Sequence, residues 1–114
     1  TPELAREVIP EMLQLNPHPD AFFCVNDEVA AYCMQISKSA GFKIPEEISV
    51  CGFTNSYITD VTDPTLTTVD QHGLEMGKVA ARLLINRIEG KETKPGIVSR
   101  LIKTDLVIKG STRK

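Results

Sequence analysis

The residues best placed to do chemistry are short polar side chains in two dipeptides, Asn26-Asp27 and Thr54-Asn55, each at the end of an apolar, strand-like run. If those runs pair in parallel, both dipeptides reach the same rim of one sheet, and Gln71, after a third run, joins them there. Such side chains offer donors and acceptors without concentrated charge, which suits a hydroxyl-rich or otherwise polar small molecule. Helix N-termini beside the rim add backbone N–H donors. Each residue also has a purely structural use. Asp27, and less strongly Asn26, is placed to cap the helix that follows, and Thr54-Asn55 suits a turn.

Catalytic chemistry is not indicated. His18 lies in a proline-flanked turn and His72 at a helix start, both reading as solvated surface residues, and no serine or cysteine occupies a nucleophile elbow or triad. Gly52 and Gly73 are isolated and Gly41 ends a helix, so there is no phosphate-cradling loop. Asp60, Asp63 and Asp70 lack the ordered spacing of a calcium site. Cys24, Cys33 and Cys51 are odd in number and without zinc-site spacing, and read as reduced, buried thiols of a cytoplasmic protein. No enzyme, cofactor or metal is expected.

The elements that must position the rim follow from periodicity. Thr1 and Pro2 suit an N-cap and first helical turn, and Leu4, Val8, Met12 and Leu15 recur at near-helical spacing, with Pro10 expected to kink or restart that helix. Ala21 to Val25 is a continuous apolar run, expected as a parallel strand buried on both faces. Val29, Tyr32, Cys33, Ile36 and Ala40 form an amphipathic stripe ending at Gly41. Ile48 to Phe53 gives the next strand and Leu66 to Val69 a third. Met76, Val79, Ala80, Leu83 and Ile88 make a further helical stripe closing at Gly90. The stretch from Ile97 to Ile108 reads as one or two exposed edge or crossover strands. This alternation predicts an α/β fold with right-handed parallel crossovers.

Composition bounds the rest. A chain of 114 residues, 41% hydrophobic and 25% charged, holds one globular domain at most. Thirteen Lys and Arg against fifteen Asp and Glu give a net charge of −2, so nothing drives it as a whole toward nucleic acid or anionic lipid. No apolar run approaches the roughly 18 residues of a membrane helix. The immediate helical start reads as a cut from something longer, which would leave an apolar edge exposed.

Phe22-Phe23-Cys24-Val25-Asn26-Asp27-Glu28-Val29-Ala30, Glu47-Ile48-Ser49-Val50-Cys51-Gly52-Phe53 and Pro64-Thr65-Leu66-Thr67-Thr68-Val69 occur in order with matching separations. Together with Glu75-Met76-Gly77, Ile88-Glu89-Gly90 and the ending Asp105-Leu106-Val107-Ile108-Lys109-Gly110-Ser111-Thr112, they resemble the lactose/galactose repressor family of bacterial transcription regulators. The resemblance implies the C-terminal part of an effector-binding domain: an incomplete periplasmic-binding-protein-like type I fold, a three-layer sandwich on a parallel sheet. Residues 1–69 would belong to the C-terminal subdomain, residues 70–96 to a helix crossing into the N-terminal subdomain, and residues 97–114 to returning strands and a tail. The fragment would then pair with another copy or pack that helix on its own sheet.

By motif, Asn26 matches the family's effector-contacting asparagine and Asp27 its strand-end acid, which is expected mainly to cap and position the helix. Thr54 and Asn55 stand where many members carry acids, so the sugar-hydroxyl clamp is neutral here. Gln71 and Gly73 match the crossover region near the effector, where a larger residue sits in some relatives, implying a roomier pocket or a different ligand. The family's dimer face maps to Ala31, Met34, Gln35, Tyr57 and Ile58, the apolar ones having plain core as their alternative. The implied function is effector sensing and homodimerisation in a cytoplasmic regulator that reaches operator DNA only through a helix-turn-helix outside this chain. The effector would be a small polar ligand, a sugar or derivative. The rival readings are a periplasmic sugar-binding protein and an oligomerisation module without ligand.

Overall fold

The computed structural model describes residues 1–91, 96 and 98–113. It begins with helix α1 (Pro2–Leu13), capped by Thr1 Oγ1, which accepts from the Leu4 N–H. Strand β1 (Ala21–Phe23), helix α2 (Asp27–Ser39), strand β2 (Ser49–Thr54), the short helix α3 (Ile58–Val61) and strand β3 (Thr67–Asp70) follow, then helix α4 (Gly73–Ile88) and strand β4 (Asp105–Val107). The sheet order is β1-β2-β3-β4, with the first three strands parallel. The architecture is the expected α/β type, with β4 running antiparallel to β3 at one edge.

The core lies where α2 packs on β2 and α1 packs on α2. Ile48, Val50 and Leu66 are fully buried, together with Ala30 and Cys33 of α2. Helix α2 ends as its sequence dictates. Gly41 takes φ +94°, and the N–H groups of Gly41 and Phe42 return to the carbonyls of Lys38 and Ser37, which satisfies the last turn. Pro10 sits inside α1 without dividing it. The buried face of α1 is Ala5, Ile9 and Leu13 rather than the Leu4, Val8 and Leu15 stripe, which is exposed. The reason is the partner: α2 takes one face, and Leu4 and Val8 instead line an open apolar groove of about 340 Å³ beside Phe22 and Phe23.

Strand β1 is corrected in a similar way. It is an edge strand, hydrogen-bonded only to β2 among the described residues, with Phe23 70% exposed rather than buried on both faces. Two thiols, those of Cys24 and Cys33, are buried, while Cys51 is half-buried, and none is in a disulfide. A hydrogen bond with Cys24, then burial, pushes the Cys33 thiol far up, and burial raises that of Cys51, so both stay protonated and unreactive.

No residue of α4 is buried. Its apolar side chains, among them Leu74, Leu84 and Ile88, face outward, and the molecule extends 59 Å along its longest axis against 24 and 20 Å across. Packing of this helix on its own sheet is therefore not what occurs. Part of the stretch between α4 and β4, including Ile97, lies outside the described residues, and β4 is the one strand seen after α4 among those described.

The end of the chain is tied firmly to the sheet. Ser111 Oγ donates to the Val50 carbonyl at 2.6 Å and accepts from the Thr67 N–H at 2.8 Å, while the Val50 N–H donates to the Ser111 carbonyl. Lys109 Nζ reaches Thr59 Oγ1 and Asp60 Oδ1 on α3 at 2.7 and 2.6 Å. None of the described helices is long and apolar enough to cross a membrane.

Candidate effector-binding site

Because β1, β2 and β3 are parallel, the polar residues after each strand emerge at one edge of the sheet. Asn26 lies at the end of β1, Thr54 and Asn55 at the end of β2, and Gln71 just past β3. Gln71 Nε2 approaches Thr54 Oγ1 at 3.5 Å, Asn55 Nδ2 donates to Asp70 Oδ2 at 3.1 Å, and the Asn55 N–H donates to Thr68 Oγ1 at 3.2 Å. The structure thus brings Thr54, Asn55 and Gln71 together, with Asp70 as a member that spacing alone assigned no role. Thr54 (φ 130°) and Asn55 (φ 59°) both adopt positive φ, which is strained for a β-branched threonine. Strain of that kind gathers at binding sites, where the surrounding fold enforces it.

The cap expected of Asp27 is supplied by Asn26. Asn26 is the N-cap of α2, its backbone extended and its Oδ1 accepting from the Val29 N–H at 2.8 Å. Asn26 is half-buried. Asp27 is the first helical residue and is 1% exposed, so it neither caps nor faces solvent. Its Oδ2 accepts from the Ser56 N–H at 2.7 Å and its Oδ1 from Thr68 Oγ1 at 2.5 Å. Asp27 therefore joins the start of α2 to the loop after β2 and to β3. Gly52 is required beside it, since a Cβ there would overlap Asp27 Oδ1. Gly73 has no atom of this chain near the place of an added Cβ.

His72 is half-buried rather than a solvated surface residue. Its Nε2 lies 2.8 Å from Asp105 Oδ2, and its backbone N–H donates to Asp70 Oδ1 at 2.8 Å. That backbone bond and the one from Asn55 hold the Asp70 carboxyl below its ordinary range. Among the described residues no group of His, Cys, Asp and Glu side chains is arranged to hold a metal ion.

Of the residues mapped to a dimer face, Gln35 and Tyr57 are exposed and Ala31 and Ile58 half-buried. Met34 is 3% exposed and belongs to the core, and with Ala31, Gln35, Lys38 and Asp63 it also lines an open cleft of about 450 Å³ between α2 and the end of α3.

The model for the periplasmic binding protein-like domain matches residues 2–112. The chain belongs to that family. Its relatives are regulators of the lactose-repressor type. Over 111 residues it is 37% identical to the HTH-type transcriptional repressor CytR of Escherichia coli K12, covering 97% of this chain and 32% of that protein. Among solved structures, the transcriptional regulator CelR–cellobiose complex superimposes with a TM-score of 0.89 at 30% identity, over 97% of this chain and 33% of the other. A LacI family transcriptional regulator from Arthrobacter sp. FB24 in complex with lactose gives 0.87 at 30% identity, over 99% and 42%. The periplasmic binding protein-like chain thus spans about a third of the length of the curated relative it matches.

Proposed function

We propose that this chain is the effector-sensing and dimerising part of a DNA-binding transcriptional regulator, and that Asn26, Thr54, Asn55 and Gln71 contact a small polar ligand, a sugar or a derivative. The observation carrying this reading is the convergence of those side chains on one sheet edge, at the carboxyl ends of three parallel strands. Asp27 serves the same rim indirectly, by fixing the α2 start against the loop that bears Asn55. The solved relatives with cellobiose and lactose support a carbohydrate class. The neutral Thr54-Asn55 pair favours hydroxyl or amide partners over cationic ones.

In this reading residues 1–69 and the tail, residues 97–114, form one half of a cleft, and residues 70–96 carry the chain into the other half, whose surface covers the outward apolar face of α4. Effector binding between the halves favours one relative orientation and so shifts the affinity of a dimer for operator DNA. The dimer face uses Ala31, Gln35, Tyr57 and Ile58, with Met34 supporting them from the core.

A thermal-shift screen of the full-length protein against sugars, sugar phosphates and nucleobases tests the reading, because a ligand of the native state raises the melting temperature with its occupancy. One chemical class is expected to give a saturable rise. A flat response to the whole panel would overturn the effector assignment.

A further inference from the structure

Asp70 and Asp105 are register partners, facing each other on antiparallel strands where the chain leaves for α4 and returns as β4. Like charges directly opposite on neighbouring strands repel. His72 sits against both. Its Nε2 is 2.8 Å from Asp105 Oδ2 and its Nδ1 is 3.8 Å from Asp70 Oδ2. The backbone of His72 is left-handed, φ 52°, a region that histidine enters more readily than most non-glycine residues. The second Asp70 oxygen accepts from His72's own N–H, and Oδ2 also accepts from the Asn55 amide.

We infer that His72 is a positioning residue, a proton-dependent clasp that holds the two strand ends at the base of α4 and, through Asp70, sets where the Asn55 amide sits. In the protonated ring both nitrogens carry a proton: Nε2 donates to Asp105, and Nδ1 stands at ion-pair distance from Asp70. In the neutral ring only one does, and the repulsion between Asp70 and Asp105 is no longer offset. The groups that face the ring are Asp105 from β4, Asp70 from β3 and Glu75 from α4, all acidic. The hydrogen bond to Asp105 and the three negative charges outweigh partial burial and hold the imidazole above its ordinary value of 6.5. The clasp stands on this geometry alone. That Asn55 belongs to an effector site rests on the preceding reading.

The test is a pH titration of the full chain, labelled on histidine and asparagine and followed by NMR without ligand. In the wild-type protein the His72 ring resonances are expected to titrate with a midpoint above 6.5, and the Asn55 side-chain amide to shift with the same midpoint. In His72→Gln the Asn55 amide becomes insensitive to pH between about 5.5 and 8. Asp105→Asn returns the His72 midpoint toward its ordinary value. An Asn55 amide that does not titrate in the wild type, or that still titrates in His72→Gln, would overturn the proposal. Failure of every sugar to bind overturns the effector reading and leaves these spectra unaffected.

Discussion

Asp27 Oδ1 accepts a hydrogen bond from Thr68 Oγ1 at 2.5 Å, joining the start of α2 to β3 across 41 residues of sequence. With its other oxygen on the Ser56 N–H, this one buried carboxyl ties together the three segments from which the rim is built. The backbone frame of the rim is thereby fixed from the core.

Replacing Asp27 with Ala leaves the Ser56 N–H without its acceptor and takes from the buried Thr68 hydroxyl the acceptor of its proton, while Thr68 Oγ1 keeps the Asn55 N–H; the loss costs about 2–4 kcal/mol. Urea unfolding of the full chain measures this. Gly52→Ala is expected to act on the same contact, because its Cβ displaces the Asp27 carboxyl.

Asn26 separates structural from binding roles. Asn26→Ala removes the cap bond to the Val29 N–H and costs about 1 kcal/mol of stability. Asn26→Ser keeps a capping oxygen while removing the amide donors, so it is expected to unfold like the wild type within about 0.5 kcal/mol in urea.

Ser111 couples the tail to β2 and β3 through a fully buried hydroxyl. Ser111→Ala strands the Thr67 N–H and costs about 1–3 kcal/mol. Denaturant midpoints at constant slope check the magnitude.

The acid and alkaline limits of the β3–β4 cluster have opposite signs. The pKa of His72 is raised in the fold, so its contribution is complete below 6.5 and is lost as pH rises through the folded value. The pKa of Asp70 is depressed, so its contribution is present above 3.8 and is lost as pH falls through the folded value. Melting temperature of the full chain is therefore expected to decline on the alkaline side in the wild type, and His72→Gln flattens that limb. Both side chains are partly open to solvent, so high salt weakens the effect.

If the face around Ala31 and Gln35 is the dimer contact, Ala31→Glu introduces facing like charges across a two-fold axis and shifts the full-length protein toward monomer in sedimentation. An unchanged dimer places the interface elsewhere.

Helix α2 was legible because its signals are local: a cap residue, a stripe at i, i+3, i+4 and i+7, and a glycine to close it. The family resemblance rested on ordered strand-end motifs and carried the fold. What the sequence hid was non-local. Whether Phe23 is buried depends on whether another strand lies beside β1, and which face of α1 is covered depends on where α2 sits. Local sequence suggests a cap at Asp27 and hides the contacts by which it positions α2, because its partners, Ser56 and Thr68, are 29 and 41 residues away. Local sequence presents His72 as a solvated surface residue because Asp105, its partner, arrives only after the chain has traversed α4.

The most direct measurement is a calorimetric titration of the strongest ligand from the sugar and nucleobase panel into the full-length wild type and Asn26→Ser. The account predicts tight binding to the wild type and at least a tenfold loss in Asn26→Ser, about 1.4 kcal/mol, with the fold intact. Equal affinity for both proteins, or no binding of any panel member to the wild type, would contradict it.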